Sequence, residues 1–173
     1  MWSVGCSTGE EVYGLAMLMA DMVNSMKGKT IYFGVTGMDI SFPTLATARN
    51  GVYPKSALKH LRQDWRERYI QEKEDETFEI VSSLKQRVCF IQGNIKELDN
   101  APNHTFDIIY CQNVLIYFQQ AQRREILDNL TSRLAVGGLL VLGPGEVSNW
   151  KNPGVTRVED KNCLAFMKLA EIE

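Results

Sequence analysis

Apolar residues recur at helical spacing near the start of the chain, directly after a short strand-like segment and a glycine-containing turn. Residues 2–18 read WSVGCSTGEEVYGLAML. The turn lies between Gly5 and Gly9, and the apolar series that follows is Val12, Leu15, Ala16, Met19 and Val23. This spacing predicts a strand, a turn and an amphipathic helix. In a parallel α/β sheet, such a turn lies at the carboxyl edge of the strands, where backbone amides can face a ligand.

The later apolar runs alternate between strand and helix patterns. Strands are predicted over residues 30–38, 87–92, 106–111 and 139–143, and helices over residues 43–50, 58–69 and 120–134. Gly51 is expected to end the second helix, and Gly137 with Gly138 to end the helix that begins near residue 120. Hairpins are predicted across residues 71–76 and 160–162. Alternating strands and helices predict a mostly parallel sheet covered on both faces.

The predicted helix over residues 58–69 has an apolar stripe at Leu58, Leu61, Trp65 and Tyr69. Its basic residues lie mainly off that stripe, at Lys55, Lys59, Arg62, Arg66 and Arg68. An amphipathic helix with a solvated basic face explains this pattern. The alternative is a docking face for an acidic protein partner.

Composition narrows the class of protein. The chain has 173 residues, a formal net charge of -2 and a pI near 5.8, which favours one domain without a nucleic acid partner. Its cysteines are Cys6, Cys89, Cys111 and Cys163, and with His60 and His104 they give no zinc-ligand spacing, so no metal site is expected. Reduced, mostly buried thiols in a soluble cytoplasmic protein are predicted. Neither a membrane span nor a signal peptide is expected.

The first turn indicates the charge of its ligand. Its sequence, GCSTGEE, matches neither GxGxxG nor GxxxxGK, so a pyrophosphate ligand is disfavoured. Gly5 and Gly9 allow close backbone approach, and Glu10 and Glu11 suit a cation or a ribose hydroxyl better than a phosphate. The same acids also fit a capping box, Ser7 with Glu10 and Thr8 with Glu11.

Asp39 follows the second predicted strand, the position from which α/β nucleotide sites hold ribose hydroxyls. A turn or cap role is the alternative for a single aspartate at a strand end. Because Met1 stands only four residues before Gly5, the first strand is expected to be short and a preceding segment is expected to be missing.

Six ordered motifs resemble the chemotaxis receptor glutamate methyltransferases of the CheR family. They are WSVGCSTGEEVYGLAM, MDIS, ARNGVY, QGNI, CQNVLIYF and LAVGGLLVLGPGE, and they cover nearly the whole chain. The resemblance implies the α/β fold of a class I methyltransferase that uses S-adenosylmethionine. That fold is Rossmann-like, with a seven-stranded mixed sheet and a small inserted antiparallel β-subdomain at about residues 68–92. Residues 1–173 would form the catalytic domain, a monomer that modifies the cytoplasmic part of chemoreceptors.

The resemblance also implies roles for individual residues. Glu10 and Asp39 would contact the cofactor, with Asp39 at the ribose. Asn94 and Ile95 would lie along the adenine, and Gln112 and Asn113 beside the methionine part. Tyr117 would stand near the methyl group and the incoming substrate. With Gly5 in the first turn, these residues form the expected site.

Four departures from the family pattern matter. A helical N-terminal domain and a linker arginine are not found, which leaves the activity of this chain alone in question. Gln112 stands where the family usually has arginine, and Pro144 and Gly145 replace the His and Ser of GHSE. The turn over residues 71–76 lacks the longer glycine-bearing loop of members that dock on a receptor's C-terminal pentapeptide, so tethering of that kind is doubtful.

Two other functions stay open. These departures are compatible with a cofactor-binding regulatory or docking module of little activity. A nicotinamide-dependent oxidoreductase would share the fold type but not the glycine pattern. Transfer to a glutamate, by contrast, needs no general base, because the carboxylate is already ionised at neutral pH.

Overall fold

The computed structural model describes residues 1–26, 28, 30–98, 104–147 and 150–170. Its strands are β1 (Trp2–Val4), β2 (Val35–Asp39), β3 (Val52–Pro54), β4 (Ile70–Glu72), β5 (Thr77–Ile80), β6 (Val88–Gln92), β7 (Phe106–Cys111), β8 (Leu134–Leu142), β9 (Val155–Arg157) and β10 (Leu164–Lys168). Its α-helices are α1 (Glu10–Ser25), α2 (Phe42–Asn50), α3 (Gln63–Tyr69), α4 (Ser82–Lys85) and α5 (Gln120–Ser132). Two 3₁₀ turns span Lys55–His60 and Leu115–Tyr117.

Two compact units make up the chain. The carboxyl-terminal unit contains Met1–Gly5 and Gly93–Glu173, and the amino-terminal unit contains Cys6–Gln92. The main sheet has seven strands, and a separate antiparallel sheet has the order β3-β5-β4.

In the carboxyl-terminal unit, β7 pairs in parallel with both β1 and β8, and β10 pairs antiparallel with β8 and β9. The inward residues of β7 and β8 are fully buried, among them Ile109, Leu140 and Leu142. Helix α5 buries Ile126, Leu127 and Leu130, as its spacing predicts. This core fixes the carboxyl ends of β1 and β7, where several predicted site residues follow.

In the amino-terminal unit, β2 pairs in parallel with β6, with Asp39 opposite Gln92. Helix α1 buries Val12, Tyr13, Ala16 and Met17, whereas the predicted positions Leu15, Met19 and Val23 are only half-buried. Helix α2 ends at Gly51, whose φ of 60° is the left-handed conformation that glycine adopts without strain.

Several predictions of local structure are confirmed. β7 has the predicted bounds, Gly51 ends α2, and β4 with β5 and β9 with β10 form the two predicted hairpins. Each of these elements is marked by a strong local signal, either a continuous apolar run or a turn residue with a defined conformation.

Other predicted bounds are wrong. The strand predicted from residue 30 begins at Val35, and Tyr32 is 80% exposed. The helix predicted over residues 58–69 is divided, because Leu61 and Arg62 have extended backbone between the 3₁₀ turn and α3. Gly137 and Gly138 do not end α5 but lie within β8, where the pairing with β7 is irregular.

The small sheet begins earlier than the predicted subdomain and ends earlier. It uses residues 52–54, 70–72 and 77–80, whereas β6, inside the predicted range of 68–92, pairs with β2 in the main sheet. The apolar run of β6 has the composition of a central strand, and that is how the structure uses it.

No helix among the described residues is long and apolar enough to cross a membrane. The four cysteines are free thiols, of which Cys6 and Cys111 are buried and Cys163 is half-buried. The prediction of mostly buried thiols is wrong for Cys89, which is exposed.

Candidate cofactor and methyl-transfer site

Gly5 follows β1 in the carboxyl-terminal unit and has a φ of 75°. A Cβ at this position would overlap Cγ2 of Val114, which follows β7. Because β1 pairs with β7, the segments that leave the two strands approach each other directly. The glycine is therefore required both by its backbone conformation and by the space available.

The segment after β7 carries three predicted residues. The Gln112 side-chain amide donates to the Leu142 carbonyl oxygen at 3.4 Å. Asn113 has a φ of 58°, a left-handed conformation that asparagine tolerates better than most residues. Tyr117 ends the 3₁₀ turn and is 80% exposed, so its ring is presented to solvent at this end of β7.

Asn94 and Ile95 follow β6 in the chain. The Asn94 side-chain oxygen accepts the Lys96 N–H at 3.1 Å, and its amide donates to Glu97 at 3.2 Å. Ile95 is buried. The Asn94 side chain thus orders its own loop, and it carries the adenine role only as a prediction.

A buried carboxylate that the sequence did not single out lies in the same unit. Glu146 is 2% exposed and accepts the N–H groups of Leu115 at 3.0 Å and Gly143 at 2.8 Å. The sequence signal was present in the motif GPGE, but attention fell on its proline and on the middle glycine instead of on the acid.

Residues 143–146 form a type II turn. The Glu146 N–H donates to the Gly143 carbonyl at 3.3 Å, Pro144 occupies the second position and Gly145, with a φ of 79°, the third. Proline and glycine are the residues this turn prefers at those positions. The replacement of His and Ser therefore does not disturb the turn that presents Glu146.

Asp39 lies at the end of β2 in the amino-terminal unit, as predicted, and is half-buried. Its carboxylate accepts the Ser7 N–H at 2.7 Å and the Ser41 N–H at 2.9 Å, one on each oxygen. Asp39 therefore fixes the first turn against the end of β2, and each oxygen keeps a second lone pair for a ligand.

The capping-box interpretation of the two glutamates is wrong. Helix α1 begins at Glu10, its N-cap is Gly9 with a φ of 89°, and no side chain caps it. Glu10 and Glu11 are therefore the first two helical residues, whereas a capping box needs the acid at the third. Glu10 is exposed and instead accepts the Thr8 hydroxyl at 2.6 Å.

Cys6 in the same turn is not a nucleophile at neutral pH. Burial, with a further contribution from the negative charge of Asp39, raises the pKa of its thiol to about 12. A thiol with this pKa stays protonated, and the thiolate is the reactive form. Cys6 is a packing residue of the turn.

The basic residues of the 55–68 segment are engaged within their own unit. Arg68 pairs with Asp21 and Asp64, Arg62 with Asp64, and Lys55 with Glu72 and Glu76. Arg66 donates to the carbonyl oxygens of Leu58 and Leu61. These contacts favour a structural role over a docking face for an acidic partner.

The described residues of the amino-terminal unit suit S-adenosylmethionine, the cofactor that the sequence resemblance implies. Asp39 and Glu10 are carboxylates with free lone pairs, which accept hydrogen bonds from ribose hydroxyls or an ammonium group and attract a sulfonium. A phosphate would be repelled by the same two charges. The donor set therefore fits a cationic nucleoside and not a dinucleotide.

Comparison with known proteins agrees with this chemistry. The family model described as the CheR methyltransferase SAM binding domain matches residues 1–163. The chemotaxis protein methyltransferase of Escherichia coli is 33% identical over 149 residues, which are 84% of this chain and 51% of that protein. Its counterpart from Borreliella burgdorferi is 32% identical over 148 residues, again 84% and 51%. The chain thus spans about half the length of these curated relatives.

Solved structures confirm the predicted fold. The CcbJ methyltransferase from Streptomyces caelestis superposes with a TM-score of 0.51 and 17% identity, covering 82% of this chain and 41% of that one. The glycopeptide N-methyltransferase MtfA in complex with S-adenosylmethionine superposes with a TM-score of 0.50 and 16% identity, covering 97% and 58%. At these identities the likeness shows the class I methyltransferase fold alone.

The family model and the two bacterial relatives identify the same domain independently of the structural likeness. The chain therefore belongs to the CheR methyltransferase family, in which it matches the domain that binds S-adenosylmethionine.

Proposed function

We propose that this protein transfers a methyl group from S-adenosylmethionine to glutamate side chains of chemoreceptors in the cytoplasm, forming glutamate methyl esters. The observation that carries the proposal is the family match over residues 1–163, together with relatives named chemotaxis protein methyltransferase. Because the chain spans about half of those relatives, both the acceptor and the activity are proposals.

The reaction is a displacement at a methyl carbon. A substrate carboxylate oxygen forms a bond to that carbon while the bond from the carbon to sulfur breaks, so the sulfur keeps the electron pair as a neutral thioether. The cofactor supplies an activated methyl group on a cationic sulfur. A glutamate has a reference pKa of about 4.3, so it is ionised at neutral pH and no residue of the protein needs to remove a proton.

The residues of this chain bind and orient the reactants. Asp39 and Glu10 would hold the ribose and the positive charge, with Asn94 and Ile95 along the adenine. Gln112 and Asn113 would border the methionine part, and Gly5 would let the backbone approach it. Tyr117, exposed at the end of its turn, would orient the incoming carboxylate and exclude water from it.

The two departures near the site have different weights. Pro144 suits the type II turn that presents Glu146, so it does not argue against activity. Gln112 removes a positive charge that family members usually carry there, and this is the departure that favours a binding module without turnover.

Labelled methyl transfer to receptor-containing membranes tests the proposal. This chain is incubated with S-adenosylmethionine labelled in the methyl group and with membranes from Escherichia coli cells that lack their own enzyme. We expect label in the receptor band, released by mild base because it is an ester. The Escherichia coli relative is the positive control, and the Asp39→Ala variant is the matched negative control.

Base-stable label would show that the acceptor atom is not a carboxylate. Cofactor binding by calorimetry without any transfer, under conditions in which the Escherichia coli enzyme works, would instead favour the binding module. In that case the Gln112→Arg variant tests whether the missing charge is the reason.

A further inference from the structure

The Glu146 carboxylate connects two segments of the carboxyl-terminal unit. One of its oxygens accepts the N–H of Leu115, the first residue of the 3₁₀ turn that ends with Tyr117. The other accepts the N–H of Gly143, which directly follows β8. A Cβ at position 143 would overlap this second oxygen, so the glycine leaves the room that the carboxylate occupies.

Arg123, on α5, contacts the other side of the same 3₁₀ turn. Its guanidinium donates to the carbonyl oxygens of Phe118 at 2.8 Å, Glu146 at 3.2 Å and Ile116 at 3.4 Å. The N–H that begins the turn is therefore held by a carboxylate, and the carbonyls near its end are held by a guanidinium. Leu115 itself is fully buried between these contacts.

We propose that Glu146 and Arg123 are positioning residues for Tyr117. The tyrosine ring is 80% exposed, so little packing of its own fixes its direction. Its orientation depends on the backbone of Leu115–Tyr117, which these two side chains hold from opposite sides. The proposal rests on the proposed function for the role of Tyr117, but the positioning itself is a property of the fold.

The ionised form of Glu146 is the one that suits its contacts. Two N–H groups point at the two carboxylate oxygens, and both are satisfied. A glutamine at this position would still accept one N–H, but its NH₂ group would face the other donor. The turn would lose one of its bonds, while the buried volume would stay nearly the same.

The Glu146→Gln variant tests the proposal, with Glu125→Gln on the exposed side of α5 as the matched control. We expect Glu146→Gln to lower kcat for methyl transfer between about 10- and 100-fold, because small displacements of an orienting group have effects of this size. The receptor KM and the dissociation constant of S-adenosylhomocysteine should change less than about twofold, and Glu125→Gln should match the wild type.

A second readout does not depend on activity. In protein labelled with 3-fluorotyrosine, the ¹⁹F resonance of Tyr117 is assigned by its absence from a Tyr117→Phe variant. We expect Glu146→Gln to shift or broaden this resonance and to speed amide hydrogen exchange at Leu115, while the resonances of Tyr13 and Tyr53 stay in place. If the wild type transfers no methyl group, the proposed function fails but this readout still tests the positioning.

An unchanged Tyr117 resonance in Glu146→Gln would overturn the proposal. So would a joint loss of cofactor affinity, thermal stability and all tyrosine resonances, because that would show that Glu146 merely maintains the fold. The Arg123→Lys variant separates these cases further, since one ammonium group cannot serve the three carbonyl oxygens in the same geometry. We expect it to disturb Tyr117 in the same way as Glu146→Gln.

Discussion

Asp39 has two demands on one carboxylate. Its oxygens accept the N–H groups of Ser7 and Ser41, and these bonds fix the first turn to the end of β2. The lone pairs that stay free are therefore held in a defined direction before any ligand arrives. A preorganised acceptor of this kind loses little conformational freedom on binding, which favours affinity.

The Asp39→Ala variant should bind S-adenosylhomocysteine more weakly by about 1–3 kcal/mol, the usual loss for a charged hydrogen bond that is removed. This is a 5- to 150-fold increase in the dissociation constant, measured by isothermal titration calorimetry. Part of this loss would come from the ribose contact, and part from the freed amides of the turn.

Asp160→Ala is the matched control, because the Asp160 carboxylate also accepts an N–H two residues further on, from Asn162 at 2.7 Å. It should leave the dissociation constant unchanged. An Asp39→Ala variant with wild-type affinity would show that Asp39 has a structural role alone.

Helices α1 and α3 are joined by the side chain of Asp21. Its carboxylate accepts the Trp65 indole N–H at 2.7 Å, the Arg68 guanidinium at 2.6 Å and the Tyr69 hydroxyl at 3.0 Å. The side chain is 20% exposed, so these bonds are partly shielded from water. They also explain why the basic residues of α3 are not available as a free cationic face.

The Asp21→Asn variant should lower the free energy of unfolding by about 1–2 kcal/mol at pH 7, a value reduced from that of a fully buried charged bond because solvent screens the site. Urea denaturation followed by tryptophan fluorescence measures it. Glu74→Gln, in the exposed turn between β4 and β5, removes the same charge and should have little effect.

This difference should depend on pH in a defined direction. The bond from the Trp65 indole, followed by those from Tyr69 and Arg68, lowers the pKa of Asp21 from its ordinary 3.8. A lowered pKa in the folded state stabilises the protein above pH 3.8, and this stabilisation is lost as the pH falls through the folded value. The gap between wild type and Asp21→Asn should therefore be constant from pH 7 to about pH 5 and shrink below pH 3.8; a gap that widened there would contradict the assignment.

Much of the architecture could be predicted from the sequence, because the fold is written in local patterns. The continuous apolar run of β7 and the glycine after α2 identify those elements by themselves. Where the pattern was wrong, longer contacts decided: β8 continues through Gly137 and Gly138 because its pairing with β7 continues on the other side of an irregularity.

The site was predicted less evenly. Asp39 could be identified because a strand end and an acid coincide, and Glu10 because it follows a glycine turn. Glu146 could not, because its importance lies in two N–H groups, of Leu115 and Gly143, and the first of these is 31 residues away. No local pattern marks such a contact, and only the folded chain brings these groups together.

Titration of the whole chain with S-adenosylhomocysteine and with NAD is the comparison that separates the two ligand classes this fold type can hold. The first turn places Glu10 and Glu11 at the start of α1, where a dinucleotide fold presents free amides to a pyrophosphate. We therefore expect micromolar binding of S-adenosylhomocysteine, about 8 kcal/mol, and no detectable binding of NAD. At a hundredfold excess over its dissociation constant, the nucleoside should stabilise the protein by about 2.7 kcal/mol, seen as a higher thermal midpoint, whereas NAD should not move it. The double variant Glu10→Gln, Glu11→Gln is the control for charge: it should weaken the binding of the nucleoside without creating a site for NAD, because the turn still lacks the third glycine of the dinucleotide pattern. A rise in midpoint with NAD on the wild-type protein would contradict the argument from charge, even if the nucleoside bound as well.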